Sequence, residues 1–200
     1  MRFPGILLGL LISVLVWSAI DPAERLTWWL ESLPVLIAVP LLMATAARFP
    51  LTPLAYGLIW LHCVILLVGA HYTYAHVPAG NWLRDAFDLS RNHYDRLGHF
   101  VQGAIPAIVA RELLIRLTPI RPDKWLFAIV TLSMLGVSAA YELLEWLAAV
   151  VAGADADSFL GHQGDVWDAQ KDMALALTGA MLAQLFLGRL HDRQIMTLAR

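Results

Sequence analysis

Asp95 and His99 stand four residues apart, Glu142 and Glu145 three apart, and Asp165, Asp168 and Asp172 at successive intervals of three and four. At these spacings side chains share one face of a helix. If the third group is helical throughout, its carboxylates fall within about 60° of one another, taking roughly 100° per residue. His71 adds an imidazole near the end of an apolar run. Six carboxylates and two imidazoles are oxygen and nitrogen ligands for a divalent metal ion. The expected ligands are His99, Asp95, Glu145, Asp165, Asp172 and His71. Glu142 is expected as general base and Asp168 as a second catalytic carboxylate.

Each group also has a structural reading. Asp95 and His99 can cap and pair at a helix start, and Asp165 with Asp168 can cap a later one. Glu142 and Glu145 can be protonated and hydrogen-bonded to Tyr141 or Gln102. His71 alone is more often a buried hydrogen-bonding residue than a ligand, and His62 and His76 fall on other faces. Arg111 and Glu112 lie deeper, where structural ion pairs are expected; as neighbours on a helix they face different partners. Arg84, Arg91, Arg96 and Lys171 are close in sequence to the acidic groups, but also suit lipid headgroups.

The elements that carry these residues read as membrane spans. The 200-residue chain is 59% hydrophobic and 15% charged, with a mean hydropathy of +0.63. A soluble domain carries about 25% charged residues. A net charge of −2 gives no footprint for nucleic acid. The lone cysteine, Cys63, excludes an intrachain disulfide and reads as a small buried hydrophobe. The fold class is therefore all-α: one integral-membrane domain, residues 1–200, a polytopic bundle of about six spans. They are expected at 3–20, 31–47, 51–76, 95–117, 125–152 and 171–190, with polar loops at 78–95 and 153–170. Trp17 would occupy the minus-three position of any cleavage after Ala19, so the first span reads as retained rather than as a signal peptide.

With the amino terminus inside, cytoplasmic segments hold Arg2, Arg48, Arg116, Arg121, Lys124, Arg189, Arg193 and Arg200. The opposite side holds Arg25, Arg84, Arg91, Arg96 and Lys171. That asymmetry puts both termini in the cytoplasm and the acidic cluster at the non-cytoplasmic face. A charged group in hydrocarbon costs at least about 2.5–3.5 kcal/mol, so such groups face a cavity or a partner.

Three runs resemble the YjdF-like family of bacterial inner-membrane proteins: Asn92–Phe100 (Asn-His-Tyr-Asp-Arg-Leu-Gly-His-Phe), Tyr141–Trp146 (Tyr-Glu-Leu-Leu-Glu-Trp) and Gly161–Met173 (Gly-His-Gln-Gly-Asp-Val-Trp-Asp-Ala-Gln-Lys-Asp-Met). The resemblance covers nearly the whole chain. It implies a small multi-helix inner-membrane protein and supplies no catalytic residues to carry over. The Asp95-x-x-x-His99-Phe100 run is also similar to VanZ-like proteins, associated with glycopeptide resistance. The chain departs from these at Gly164-Asp165-x-Trp167-Asp168-x-Gln170-x-Asp172.

Three functions compete. A metal-dependent hydrolase or transferase would act on a lipid or lipid-linked substrate at the outer leaflet. A non-catalytic envelope protein would hold a lipid or antibiotic in the same pocket. An ion- or proton-coupled transporter would use the acids and imidazoles as a relay. Membrane lipids and a lipid-linked small molecule are the expected partners, a homo-oligomer is allowed, and a divalent metal ion is the expected cofactor.

Overall fold

Helix starts in this chain are marked by residues that cannot extend what precedes them. Thr52 accepts a hydrogen bond from Ala55 N at 3.2 Å and is followed by Pro53, the cap-then-proline order that suits a helix N-terminus. Pro78 also opens a shorter helix, where Val77 before it makes no side-chain capping bond. The computed structural model describes residues 2–152 and 163–198. Among these the regular structure is helical: α1 Arg2–Ala19, α2 Arg25–Thr45, α3 Pro53–Tyr72, α4 Pro78–Ala86, α5 Tyr94–Leu117, α6 Lys124–Ala152 and α7 Asp168–Leu198. A 3-10 turn at Tyr74–His76 links α3 to α4.

Four helices, α2, α3, α6 and α7, are long and apolar enough to cross a membrane; α1 carries the shorter apolar stretch Pro4–Ala19. Charge at both ends makes α5 less apolar, yet its 24 residues extend about 36 Å at 1.5 Å per residue, longer than the roughly 30 Å hydrocarbon core of a bilayer. The boundaries depart from expectation in four places. α2 begins at Arg25 rather than at residue 31 because the Leu26–Leu30 run, with Thr27 and Trp28 buried, packs inward. α3 ends at Tyr72 because Thr73 takes a positive φ of 59°, which ends the helix short of residue 76. The polar stretch expected as loop contains α4, whose Trp82, Leu83 and adjoining Phe87 are exposed. α7 starts three residues before 171 and runs eight beyond 190.

Packing centres on α3 and α5. One cluster joins Leu11, Val35, Cys63 and Leu67 across α1, α2 and α3. A second joins Ala107, Leu126, Val130, Met134 and Ala180 across α5, α6 and α7. The most extensive helix contact is α5 with α7, and small residues permit it. A Cβ on Gly103 would strike the backbone of Ala176, and one on Gly179 would strike the carbonyl of Phe100. Close backbone approach through glycine and alanine is how helices associate where the surrounding lipid is as apolar as their own side chains.

A polar clamp fixes the other end. Glu112, fully buried, accepts from Thr52 N at 3.0 Å and Thr52 Oγ1 at 2.7 Å. It also lies 3.0 Å from His191 Nε2 and 2.7 Å from Arg116 Nη1. Its neighbour Arg111 turns to Asp192 at 2.7 Å. These bonds join the start of α3 to α5 and α7 and leave the Glu112 carboxylate well satisfied.

Gly103→Val should force α5 and α7 apart and destabilise the protein by about 1–3 kcal/mol, as overpacked contacts do. Thermal unfolding of the purified protein in detergent would read this as a lower midpoint, with α-helical circular dichroism at low temperature preserved.

Candidate functional site

The site begins with the face that α5 presents. Asp95, Gly98, His99, Gln102 and Pro106 recur at helical spacing and line one cavity of about 230 Å³. Across it stand Glu31 and Pro34 of α2, His62 and Leu66 of α3, and Val137, Tyr141 and Glu145 of α6. Tyr74 closes one wall, with its ring over Gly69 and Gly98 where a Cβ would collide with it. The chamber therefore sits on the seam between the α1–α3 group and the α5–α7 group. Tyr141 Oη donates to Glu31 Oε2 across that seam at 3.4 Å.

Glu145 also lines a second space of about 470 Å³, together with Glu142, Trp146, Asp165 and Asp168. Asp95 and His99 of the first space form a triad with Asp172. Asp95, His99 and Asp172 each offer a ligand atom, all within 4.8 Å of one another, and all three residues are buried. His99 Nδ1 lies 3.2 Å from Gln102 Oε1. A neutral imidazole donating through Nδ1 to that amide oxygen keeps Nε2 as an acceptor, the way a second partner orients a metal-binding histidine. Nε2 is 3.6 Å from Asp95 Oδ1, and Nδ1 is 3.7 Å from Glu142 Oε1. Asp172 is 1% exposed. Its Oδ1 and Glu142 Oε1 are buried without a hydrogen-bond partner.

The loop before α5 and the first turns of α5 and α7 supply the cations. Arg91 pairs with Asp168, and its Nη2 and Nη1 lie 3.6 Å from Asp95 and 3.7 Å from Asp165. Arg96 and Lys171 reach Asp165 Oδ2 at 2.6 and 2.5 Å. These three cations are therefore turned toward the acidic groups rather than reserved for lipid headgroups; Arg84 instead pairs with Asp85. Asn92 and Gln163 hold the loops before α5 and α7 together. Gln163 Nε2 donates to Asn92 O at 2.9 Å, and Asn92 N donates to Gln163 Oε1 at 3.1 Å. Asn92 Nδ2 also donates to Val77 O at 3.0 Å, which brings the start of α4 into the same cradle.

The residues expected in a site divide accordingly. Asp95, His99, Glu142, Glu145, Asp168 and Asp172 are brought together around the two spaces. Asp165 is at their rim, before α7 rather than within it, where it accepts from Trp167 N at 3.1 Å and serves as an ion-pair hub. His71 is not brought in. Its Nδ1 lies 3.1 Å from Ser18 O and its ring 4.4 Å from that of Trp17. The reason is helical phase: His62 and His71 are nine residues apart, two and a half turns, and so lie on opposite faces of α3. The chamber is on the His62 face, which corrects the expectation for both histidines.

Sequence reasoning misses Glu31, and it places Arg91 near the acidic groups without giving it a partner. Placing the second span's start at residue 31 set Glu31 at a boundary, although the apolar run before it already indicated a carboxylate one turn inside a helix. Arg91 belongs to a loop, and no periodicity locates a loop arginine. Gly161 and His162 of the third motif lie outside the described residues.

A family model described as "Predicted membrane protein (DUF2238)" matches residues 3–193. The chain is 51% identical over 185 residues to the Escherichia coli (strain K12) "Inner membrane protein YjdF", spanning 92% of this chain and 88% of that protein. Neither match is to a VanZ-like protein. No solved structure matches the chain.

Asp165 lies outside the spans, and the hydrogen bond from Lys171 holds its carboxyl below the usual carboxylate range, helped by the backbone of Trp167. A depressed folded value contributes stability that is present above the unfolded value of about 3.9 and lost as pH falls through the folded one. Lys171→Met should therefore lower the unfolding midpoint slightly at pH 6, and the two proteins should converge below about pH 4. Thermal scans from pH 3 to pH 7 would measure the convergence.

Proposed function

The chain belongs to the DUF2238 family of predicted membrane proteins, and from that premise we propose that Asp95, His99 and Asp172 hold a divalent cation that serves a reaction on a lipid or lipid-linked substrate. The observation that carries this reading is Asp172, a residue 1% exposed whose Oδ1 has no hydrogen-bond partner among the described residues and one of whose carboxylate oxygens lies within 4.8 Å of ligand atoms of Asp95 and His99. A buried carboxylate oxygen without a donor costs free energy, and a cation is the partner that two carboxylates and an imidazole select. Asp and His with a coordination position left for water can activate that water or polarise a phosphoryl or acyl oxygen.

Glu142 is the general base in this scheme, with Oε1 buried, unpartnered and facing His99. Glu145, which lines both spaces, is the further ligand that faces incoming substrate. Asp168 takes a positioning role through Arg91, and Asp165 through Arg96 and Lys171. In this reading α1, α2, α3, α5, α6 and α7 are six spans in a bacterial inner membrane. The site is at the non-cytoplasmic face, both termini are cytoplasmic, and copies of the chain are free to associate. The distribution of Lys and Arg supports that orientation. The inner-membrane relative supports the compartment, and the exposed Trp146 and Trp167 beside the second space suit a membrane interface.

Purified protein equilibrated with Mn2+ and washed should retain about one ion per chain, as a single site of this ligand class would. Asp172→Asn should lose it while remaining monodisperse. Absence of stoichiometric metal in the wild type, with an unchanged unfolding midpoint in EDTA, would overturn the proposal. Lipid extracts of a strain lacking the gene should then show an accumulated precursor. An unchanged lipid profile together with bound metal would favour non-catalytic binding over catalysis.

A further inference from the structure

The chamber on the α2–α3 side of the cation site is not explained by holding a metal. Its volume of about 230 Å³ exceeds that of an engineered cavity of about 150 Å³ that accepts benzene. Glu31 faces it from α2, one helix away from the metal triad, and Glu145 faces it from α6. Together with Asp95 they give the lining three carboxylates, and among the described residues that line it there is no Lys or Arg. Two aromatic walls flank Glu31, Tyr74 and Tyr141. His62 contributes an Nε2 that is buried without a hydrogen-bond partner, an orphan on a wall that is otherwise mostly apolar on its side.

Acid groups, aromatic faces and an unsatisfied imidazole nitrogen around one half-open space define a recognition site for a small cation with polar hydrogens. Carboxylates supply charge-assisted acceptors, the rings supply cation–π attraction, and the imidazole nitrogen takes an N–H or O–H. Chloride, phosphate and carboxylate groups are excluded by the same lining. A second metal ion is disfavoured, because Glu31 and His62 are not among the groups whose ligand atoms converge.

We propose that this chamber binds the ammonium group of an amine-bearing ligand, a primary amine with a neighbouring hydroxyl or ester oxygen, so that the adjoining bond faces the cation site. The proposal names the substrate class of that site and rests on the function proposed above for its consequence, though not for the binding itself. The amine could be supplied by a lipid headgroup or by a free soluble amine. In both cases Glu145, shared by the chamber and the second space, stands on the way in.

Calorimetric titration of the purified protein in a zwitterion-free detergent tests it, with ethanolammonium chloride as probe and ethylene glycol as the neutral control of similar size. Saturable binding of the amine is expected, with ethylene glycol at least about tenfold weaker. Glu31→Gln should weaken the amine by about tenfold or more and leave the Mn2+ stoichiometry unchanged. Tyr141→Leu, a milder variant for the case in which Glu31→Gln fails to fold, should weaken it as well. Equal affinity for amine and glycol, no saturable amine binding, or folded variants with unchanged affinity would overturn the proposal. Protein that binds the amine but retains no metal would sink the metal reading and leave the chamber standing. Native mass spectrometry from nanodiscs holding equal phosphatidylethanolamine and phosphatidylglycerol separates the sources: enrichment of the former identifies a headgroup, and no enrichment with free amine bound identifies a soluble ligand.

Discussion

A surplus of carboxyl groups over Lys and Arg, buried at one end of a membrane bundle, is the constraint on which this structure turns. Seven carboxylates, from Glu31, Asp95, Glu142, Glu145, Asp165, Asp168 and Asp172, gather around two adjoining spaces. The cations paired with them are Arg91, Arg96 and Lys171. These cations act at the rim, on Asp165, Asp168 and one edge of Asp95. Among the described residues no Lys or Arg lies within ion-pair distance of Glu31, Glu142, Glu145 or Asp172. Charges repel strongly where little water screens them. The inner carboxylates therefore need protons, a metal ion or a cationic ligand, and a divalent cation at the triad with an ammonium group in the chamber would meet that need.

The rest of the bundle holds this arrangement in place. α5 lends one face to the chamber and lies against α7 through Gly103 and Gly179, which sets Asp172 opposite Asp95 and His99. Had either glycine been larger, the helices would stand farther apart and the three ligand atoms would no longer converge. At the far end, the Glu112 carboxylate joins Thr52, Arg116 and His191 and resists sliding of α5 against α7. That network differs in kind from the acidic cluster. Glu112 has several donors and an aligned histidine, so its chemistry is used up in structure.

Much of this was legible in the sequence, for reasons that follow from helix geometry. Apolar runs of spanning length located the major helices, and intervals of three and four grouped Asp95 with His99 and Glu142 with Glu145. Phase alone does not say which face of a helix looks inward. His71 was thus preferred to His62 only for its place near the end of an apolar run, until α3 was set against its neighbours. Glu31 was hidden because the helix begins at Arg25, before the start expected at residue 31. Arg91, Asn92 and Gln163 lie in connecting segments, where contacts depend on how two loops meet in space and leave no periodic trace. The amphipathic α4 escaped for the same reason, within a stretch whose composition reads as loop, whereas the positive φ of Thr73 lies inside the run expected as the third span.

The central claim is that Asp95, His99 and Asp172 coordinate one divalent cation, and pulsed electron paramagnetic resonance of the Mn2+-loaded protein tests it most directly. Electron spin echo modulation should show coupling to one imidazole nitrogen, as coordination through a single histidine requires. That coupling should vanish in a folded His99→Gln variant. Bound Mn2+ without nitrogen coupling, or coupling that survives in His99→Gln, would contradict it.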